Sequence, residues 1–466
     1  MRRAWSIHKK AAVFLAGALA VTGLAACSDD TQDQESRGLT FWTVHNTPQR
    51  LAVQKRVAAD FEEETGISVD IVGMSAEDMG TSIVAGAAAG DVPDVALVDP
   101  GAVAAWSSQG LVDTETVQNV VDSLDPSTFS QQALDLVTVD DALGAVPSDG
   151  WGELLYYRTD VFDQLGLDAP QSVQDVTEAA QAISESDADI TPIVLGTTPG
   201  DSMARENLEH LSLANGCQMF DDGQVAFESD ACVQTLSNYQ TLVDLSVSGD
   251  QDVESTRAAY LAGDTAMAMW SPHLLDEIAG LDSNFPVSAE GSQENPDFLA
   301  QNTSVVGALT GVANNEATGY GLTLNYAVLK GANTEAAEQY IEYVMSDGYI
   351  DTLAMTPEGR APVRTGTPNN SQQYIEEWKQ LPLGADPDNQ RPFDDAYNDQ
   401  VIQAVVTAAN SFTRWGFSTE HWATAGAATT ENSLVIDFNQ LLNGGDPQDY
   451  ADHMAEITQK LEQENQ

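Results

Sequence analysis

Indoles and carboxylates are the side chains here with the clearest chemistry. Trp151 stands in Ser-Asp-Gly-Trp-Gly-Glu, where the flanking glycines allow close backbone approach and leave the indole poorly shielded. Trp270 ends the apolar run Ala266 to Met269 and precedes Ser271-Pro272, while Trp415 and Trp422 share the segment RWGFSTEHW. An indole packs against the C–H face of a polyhydroxylated ring, whose hydroxyls then need directional partners at the rim. Asn46, Asp99 and Glu206 are candidate partners, since a carboxylate accepts two hydroxyl hydrogen bonds and an amide both donates and accepts. Catalytic patterns are missing: there is no G-x-S-x-G, H-E-x-x-H or G-x-x-x-x-G-K-[ST]. A carboxylate pair working as a glycosidase stays open on sequence alone. With no C-x-x-C and histidines scattered at 8, 45, 210, 273, 421 and 453, neither a metal site nor a cofactor is expected.

The N-terminus gives an address. MRRAWSIHKK precedes the apolar run AAVFLAGALAVTGLAA, the order of a secretory signal peptide over residues 1–26, and the run is too short to span a bilayer. Residues 28–37, SDDTQDQESR, are polar and aperiodic and read as a tether. Removing the leader takes away four basic residues and leaves 14 against 72 acids, a formal charge of −58. Such a chain has no basic footprint for nucleic acid. With 42% hydrophobic residues it is nevertheless too apolar to be disordered. Cys217 and Cys232 bracket a turn-rich segment of an exported chain, so a short-loop disulfide is expected rather than two buried thiols.

These groups need a frame. Leu39 to Val44 alternates as a strand, Arg50 to Glu64 carries helical periodicity, and Ile67 to Val72 begins a second strand after Gly66. A helix near Met79 to Ala89, a strand at Val95 to Val98 and a helix at Val103 to Gln109 repeat the pattern. Alternation of this kind predicts an open α/β sheet whose ligands sit beyond the carboxyl ends of the strands, here His45-Asn46-Thr47 and Asp99-Pro100.

The order of segments resembles the extracellular solute-binding proteins of ABC importers, in the group that includes maltose- and other sugar-binding proteins. The likeness is carried by RVAADFEEETGISVDIV, AGAAAGDVPDVALVD, LGAVPSDGWGELLYYRTDVFDQLGLDAPQSVQDV, YLAGDTAMAMWSPHLLDEI, YGLTLNYAVLKGANTEAAEQYIEYVMSDGYIDTLA and RAPVRTG, in that order from about Leu39 to the C-terminus. Leu24-Ala25-Ala26-Cys27 resembles the lipobox of bacterial lipoproteins, which implies an acylated Cys27 on the outer face of the cytoplasmic membrane. The resemblance implies a two-lobed α/β fold with discontinuous lobes, 38–147 with 318–360 and 148–317 with 361–466, closing by a hinge on a ligand. It implies a ligand platform at Trp270, another aromatic at Trp415 rather than Trp422, and Arg364 facing the cleft from the second crossing. The expected function is a monomeric binding protein, not an enzyme, that delivers a mono- or oligosaccharide to membrane permease subunits. A polyol, a glycerol-phosphate-like ester, a polyamine, or a surface-interaction role are the alternatives.

Overall fold

The computed structural model describes residues 38–464 apart from Ala88, so the leader, Cys27 and the tether lie outside the described residues. The opening βαβ unit forms as its sequence dictates. Strand Gly38–Thr43 buries Leu39 and Phe41. Thr47 caps helix Pro48–Thr65 by accepting from the Arg50 N–H, Pro48 occupies its first turn, and Gly66 ends it at φ 75°. Strand Ser68–Gly73 then pairs parallel with the first, Phe41 opposite Ile71. Val95–Val98 pairs parallel on the other side, Phe41 opposite Val95, and Asp99 caps the helix Pro100–Ser108 that follows it.

Three later strands complete this sheet. Its spatial order is Ala361–Pro362, Val146–Gly152, Gly321–Val328, Val95–Val98, Gly38–Thr43, Ser68–Gly73. Gly321–Val328 runs antiparallel to both neighbours, with Tyr326 opposite Leu97 and Leu322 opposite Trp151. A second sheet has the order Thr303–Val306, Leu154–Arg158, Thr265–Trp270, Thr191–Val194. Its strands Leu154–Arg158 and Thr265–Trp270 are buried along their whole length. Tyr156, Ala268 and Trp270 pack into one apolar cluster and Leu155, Tyr157, Met267 and Met269 into another, so both sheet faces are covered and the apolar run does not alternate.

The chain passes between the sheets with one residue to spare: strand Val146–Gly152 belongs to the six-stranded sheet, Leu154–Arg158 to the four-stranded one, and Glu153 alone separates them. Elsewhere Cys217 and Cys232 are bridged, as expected. Helix Trp422–Thr430 lies on helix Pro100–Ser108 through small residues; a Cβ added to Gly426 would come within 3.9 Å of Ala104 Cβ and the Gly101 carbonyl. None of the described helices is long and apolar enough to cross a membrane.

Candidate ligand-binding site

The ends of the strands converge on one cluster of aromatic and charged side chains. Trp151, on the edge of the crossing strand, is half-buried, its ring 5.7 Å from Tyr320 and 6.4 Å from His273, the latter edge-on. The expected close approach at its glycines is to the chain's own backbone. A Cβ on Gly152 would lie 2.3 Å from the Ala408 carbonyl oxygen, and one on Gly150 would lie 3.0 Å from that of Leu322.

His273 follows Trp270 by three residues, so the strand that positions one positions the other. Burial, with Arg50 close by, pushes its pKa down to about 4. His45, just past the opening strand, is likewise held well below the usual histidine range by burial and then by Arg360 and Arg50. Both imidazoles are therefore neutral near pH 7. Arg50 Nη1 lies 3.4 Å from His45 Nδ1, which makes Nδ1 the acceptor and places the proton on Nε2, a buried atom with no partner. Arg50 makes no ion pair among the described residues, whereas Arg360 binds Asp149 through two parallel bonds, Nε to Oδ1 at 2.9 Å and Nη2 to Oδ2 at 2.5 Å. Glu358 is buried beside this group, and burial together with Asp276 raises its carboxyl well above the ordinary value.

On the other side Tyr320 leads into a second network. Its hydroxyl donates to Glu206 Oε1 at 3.4 Å, and Arg205 Nη2 reaches the same oxygen at 3.0 Å. The Arg414 guanidinium lies 4.4 Å from the Tyr320 ring centroid and donates from Nε to Glu209 Oε1 at 2.8 Å. Glu153 is fully buried and accepts from Asn207 Nδ2 at 2.5 Å; burial and Glu206 drive its carboxyl well up, toward the neutral form.

Of the residues expected at the site, Trp151 and Glu206 come together through Tyr320. Trp270 is adjacent in sequence but 7% exposed, with Arg257 5.9 Å from its ring and its buried indole N–H unpartnered. Asp99 spends Oδ1 on the Ala102 N–H at 3.0 Å as a helix cap, under helix Trp422–Thr430. Asn46 is exposed at the end of the first strand, beside Gly73.

Two expectations are corrected. Arg364 does not face a cleft: it is 4% exposed, Nε donates to Thr128 Oγ1 at 3.1 Å, Nη1 to Tyr374 Oη at 3.2 Å and to the Met345 carbonyl, and Nη2 to the Leu124 carbonyl at 3.0 Å. Leu124 and Met345 are the C-caps of helices Thr114–Ser123 and Thr334–Val344, so this cation satisfies two helix ends. Trp415 is a core residue, 2% exposed, edge-on to Phe227 and donating from Nε1 to the Cys217 carbonyl at 3.1 Å.

His273 and Tyr320 were not among the expected contacts, and His45 was expected only as part of the strand end His45-Asn46-Thr47. His45 carried a usable signal, because it stands beside Asn46 at the same strand end; His273 had one in its spacing from Trp270. Together the cluster offers a flat indole, a phenol, neutral imidazoles and a guanidinium. It suits a neutral ligand with many hydroxyls better than an anion, because Arg205, Arg360 and Arg414 are already committed to carboxylates.

Comparison with known proteins follows this geometry. Residues 56–383 match the family described as bacterial extracellular solute-binding protein. Escherichia coli YcjN, whose name is that of an ABC transporter periplasmic-binding protein, is 24% identical over 363 residues, 76% of this chain and 79% of the relative. The fold is similar to that of the sugar-binding protein MalE of Xanthomonas citri, with TM-score 0.70 and 15% identity over 92% of this chain and 98% of the other. It is also similar to an ABC transporter solute-binding protein from Thermotoga lettingae bound with α-D-tagatose, with TM-score 0.65 and 19% identity over 91% and 99%. A third, from Agrobacterium radiobacter K84 in complex with ribitol, gives TM-score 0.64 and 17% identity over 91% and 98%.

Proposed function

Because this chain belongs to the bacterial extracellular solute-binding proteins, we propose that it captures a small neutral sugar or polyol for an ABC importer and presents it to the membrane permease. The observation that carries this reading is the Trp151 cluster, an indole beside Tyr320 and neutral His273, with the guanidinium of Arg50, which has no ion pair among the described residues, close to His273. The indole packs on the C–H face of the solute, while Arg50, Glu206, Asn46 and Asp99 serve its hydroxyls. That proteins of this fold are found with tagatose and ribitol supports the class of solute. The paired state of the other arginines argues against a phosphate ester.

The lobes are taken as 38–147 with 318–360 and 148–317 with 361–466, and ligand contacts to both bias them toward the closed form. The leader and the Leu24-Ala25-Ala26-Cys27 sequence fit export and acylation at Cys27, leaving a monomer tethered outside the cytoplasmic membrane.

A thermal-shift screen of the purified protein against sugars and polyols tests the reading. A ligand at a hundred times its Kd stabilises by about 2.7 kcal/mol, a shift of several degrees. Trp151→Ala should then weaken that ligand at least about tenfold, the loss of an aromatic contact worth roughly 1 to 3 kcal/mol. No shift with any sugar or polyol at millimolar concentration, or full affinity in Trp151→Ala, defeats the assignment.

A further inference from the structure

Two polar atoms near the end of the first strand are buried with nothing to bond. His45 is 6% exposed and Gln54, on helix Pro48–Thr65, is 4% exposed, yet His45 Nε2 and Gln54 Oε1 have no hydrogen-bond partner among the described residues. The other polar atoms of these side chains are committed. Arg50 Nη1 lies on His45 Nδ1 at 3.4 Å, which leaves the proton on Nε2 and makes that atom a donor. Gln54 Nε2 donates to the His45 carbonyl at 3.0 Å and to that of Arg50 at 3.3 Å, so the amide has one orientation and Oε1 is an acceptor.

A buried donor and a buried acceptor left unpaired cost stability, and folds keep such a cost where function requires it. The two atoms belong to one small group, because Gln54 is fastened to the His45 backbone. They also border the candidate site: Arg360, Arg50 and His273 face the His45 ring, and His273 is the imidazole that meets Trp151. A partner for both must accept from an N–H and donate to an amide oxygen. A hydroxyl does both, an ammonium only donates, and a carboxylate or phosphate oxygen only accepts. Water shares the chemistry of a hydroxyl but is not attached to the solute, so varying the solute separates the two.

We propose that His45 Nε2 and Gln54 Oε1 together receive one hydroxyl of the solute, which makes the pair a determinant of specificity against deoxy and amino analogues. The inference rests on the reading of the Trp151 cluster as a sugar or polyol site. The probes are D-glucose, D-galactose, D-fructose and ribitol, with the monodeoxy analogues of whichever binds, titrated calorimetrically into the purified protein. His45→Gln keeps an N–H near the position of Nε2, whereas the shorter side chain of His45→Asn does not reach it. One deoxy analogue should bind about tenfold or more weakly than its parent, since a site built for a hydroxyl is left with unpaired groups when the hydroxyl is missing. His45→Asn should weaken the parent by a similar factor and leave that one analogue unchanged, and His45→Gln should restore the difference. Every deoxy analogue within about threefold of its parent, or equal weakening of parent and analogue by His45→Asn, overturns the pair while the sugar or polyol reading stands. Should none of the four parents bind, the pair falls together with that reading. Should His45→Asn fail to fold, the deoxyfluoro analogue decides with the unaltered protein. Fluorine cannot donate to Gln54 Oε1, so this compound should bind no better than the deoxy one, and binding equal to the parent overturns the proposal.

Discussion

Gly359 allows the sharpest test of how the ligand cluster is held. A Cβ built there falls 1.9 Å from His273 Nε2, 2.2 Å from Cε1 and 2.4 Å from Cδ2. Relaxed contacts between such atoms are about 3.5 Å or more, so Gly359→Ala requires the imidazole to retreat by roughly 1.5 Å. The ring has little room: it is half-buried, Nδ1 sits 3.3 Å from Ser271 Oγ, and Trp151 lies edge-on to it. Overpacking of this kind costs about 1 to 3 kcal/mol, which lowers the melting temperature of the free protein. Because the displaced ring belongs to the candidate site, affinity for the solute should fall as well, by about fivefold to a hundredfold. The discriminating measurement is a double-mutant cycle. His273→Ala vacates the space the new methyl group needs, so the pair Gly359→Ala with His273→Ala should be more stable than the sum of the single effects, with a coupling of about 1 kcal/mol or more. Chemical denaturation of the four proteins supplies it. Additive effects, or a Gly359→Ala protein with unaltered melting and binding, would refute both the packing and the place of His273 in the site.

The Cys217–Cys232 bridge closes a 15-residue separation, so replacing both cysteines with alanine should cost about 3 kcal/mol of stability by denaturant titration. Glu153 titrates higher in the folded protein than its ordinary value of 4.5, because of burial and then Glu206. Between those two values the native state holds the extra proton, so stability is present at low pH and lost as pH rises; Glu153→Gln should flatten that slope by up to about 1.4 kcal/mol per pH unit. A formal charge of −54 over the whole chain leaves most carboxylates without a basic neighbour, and screening shrinks from about 10 Å at 0.1 M salt to about 3 Å at 1 M. The melting temperature should therefore climb by several degrees between low and molar NaCl, and a flat profile would count against net repulsion.

Much of the frame was legible where the signal is local. The first strand, the helix closed by Gly66, and Val95–Val98 follow from alternation, a cap and a Pro-Asp turn within a few residues of each other. The place of Gly321–Val328 between Val146–Gly152 and Val95–Val98 was not legible locally, because its partners lie more than 160 residues away. The resemblance implied only that segment 318–360 returns to the first lobe, not the strand's neighbours. At the site, residue type singled out Trp151, which stands half-buried beside Tyr320 and His273, and was misleading for Trp415 and Arg364. Trp415 is settled by the Cys217 carbonyl, 198 residues distant, and Arg364 by two helix ends from other parts of the chain. The resemblance pointed Arg364 at the cleft, whereas burying that cation among carbonyls was the stronger demand.

The single residue between the two sheets has a mechanical consequence. A crossing of many residues would act as a slack cord, and each binding event would spend free energy on ordering it. Here Gly152 is wedged against helix Asp399–Asn410, the Glu153 N–H is tied to the Tyr320 carbonyl at 3.0 Å, and Leu154 is already in the next sheet. Such a joint is a flexure: it bends but has no length to pay out. Its rest angle is set by the packing around the buried Glu153, whose carboxyl accepts from Asn207, so a change of side chain there would reset the spring of the whole receptor.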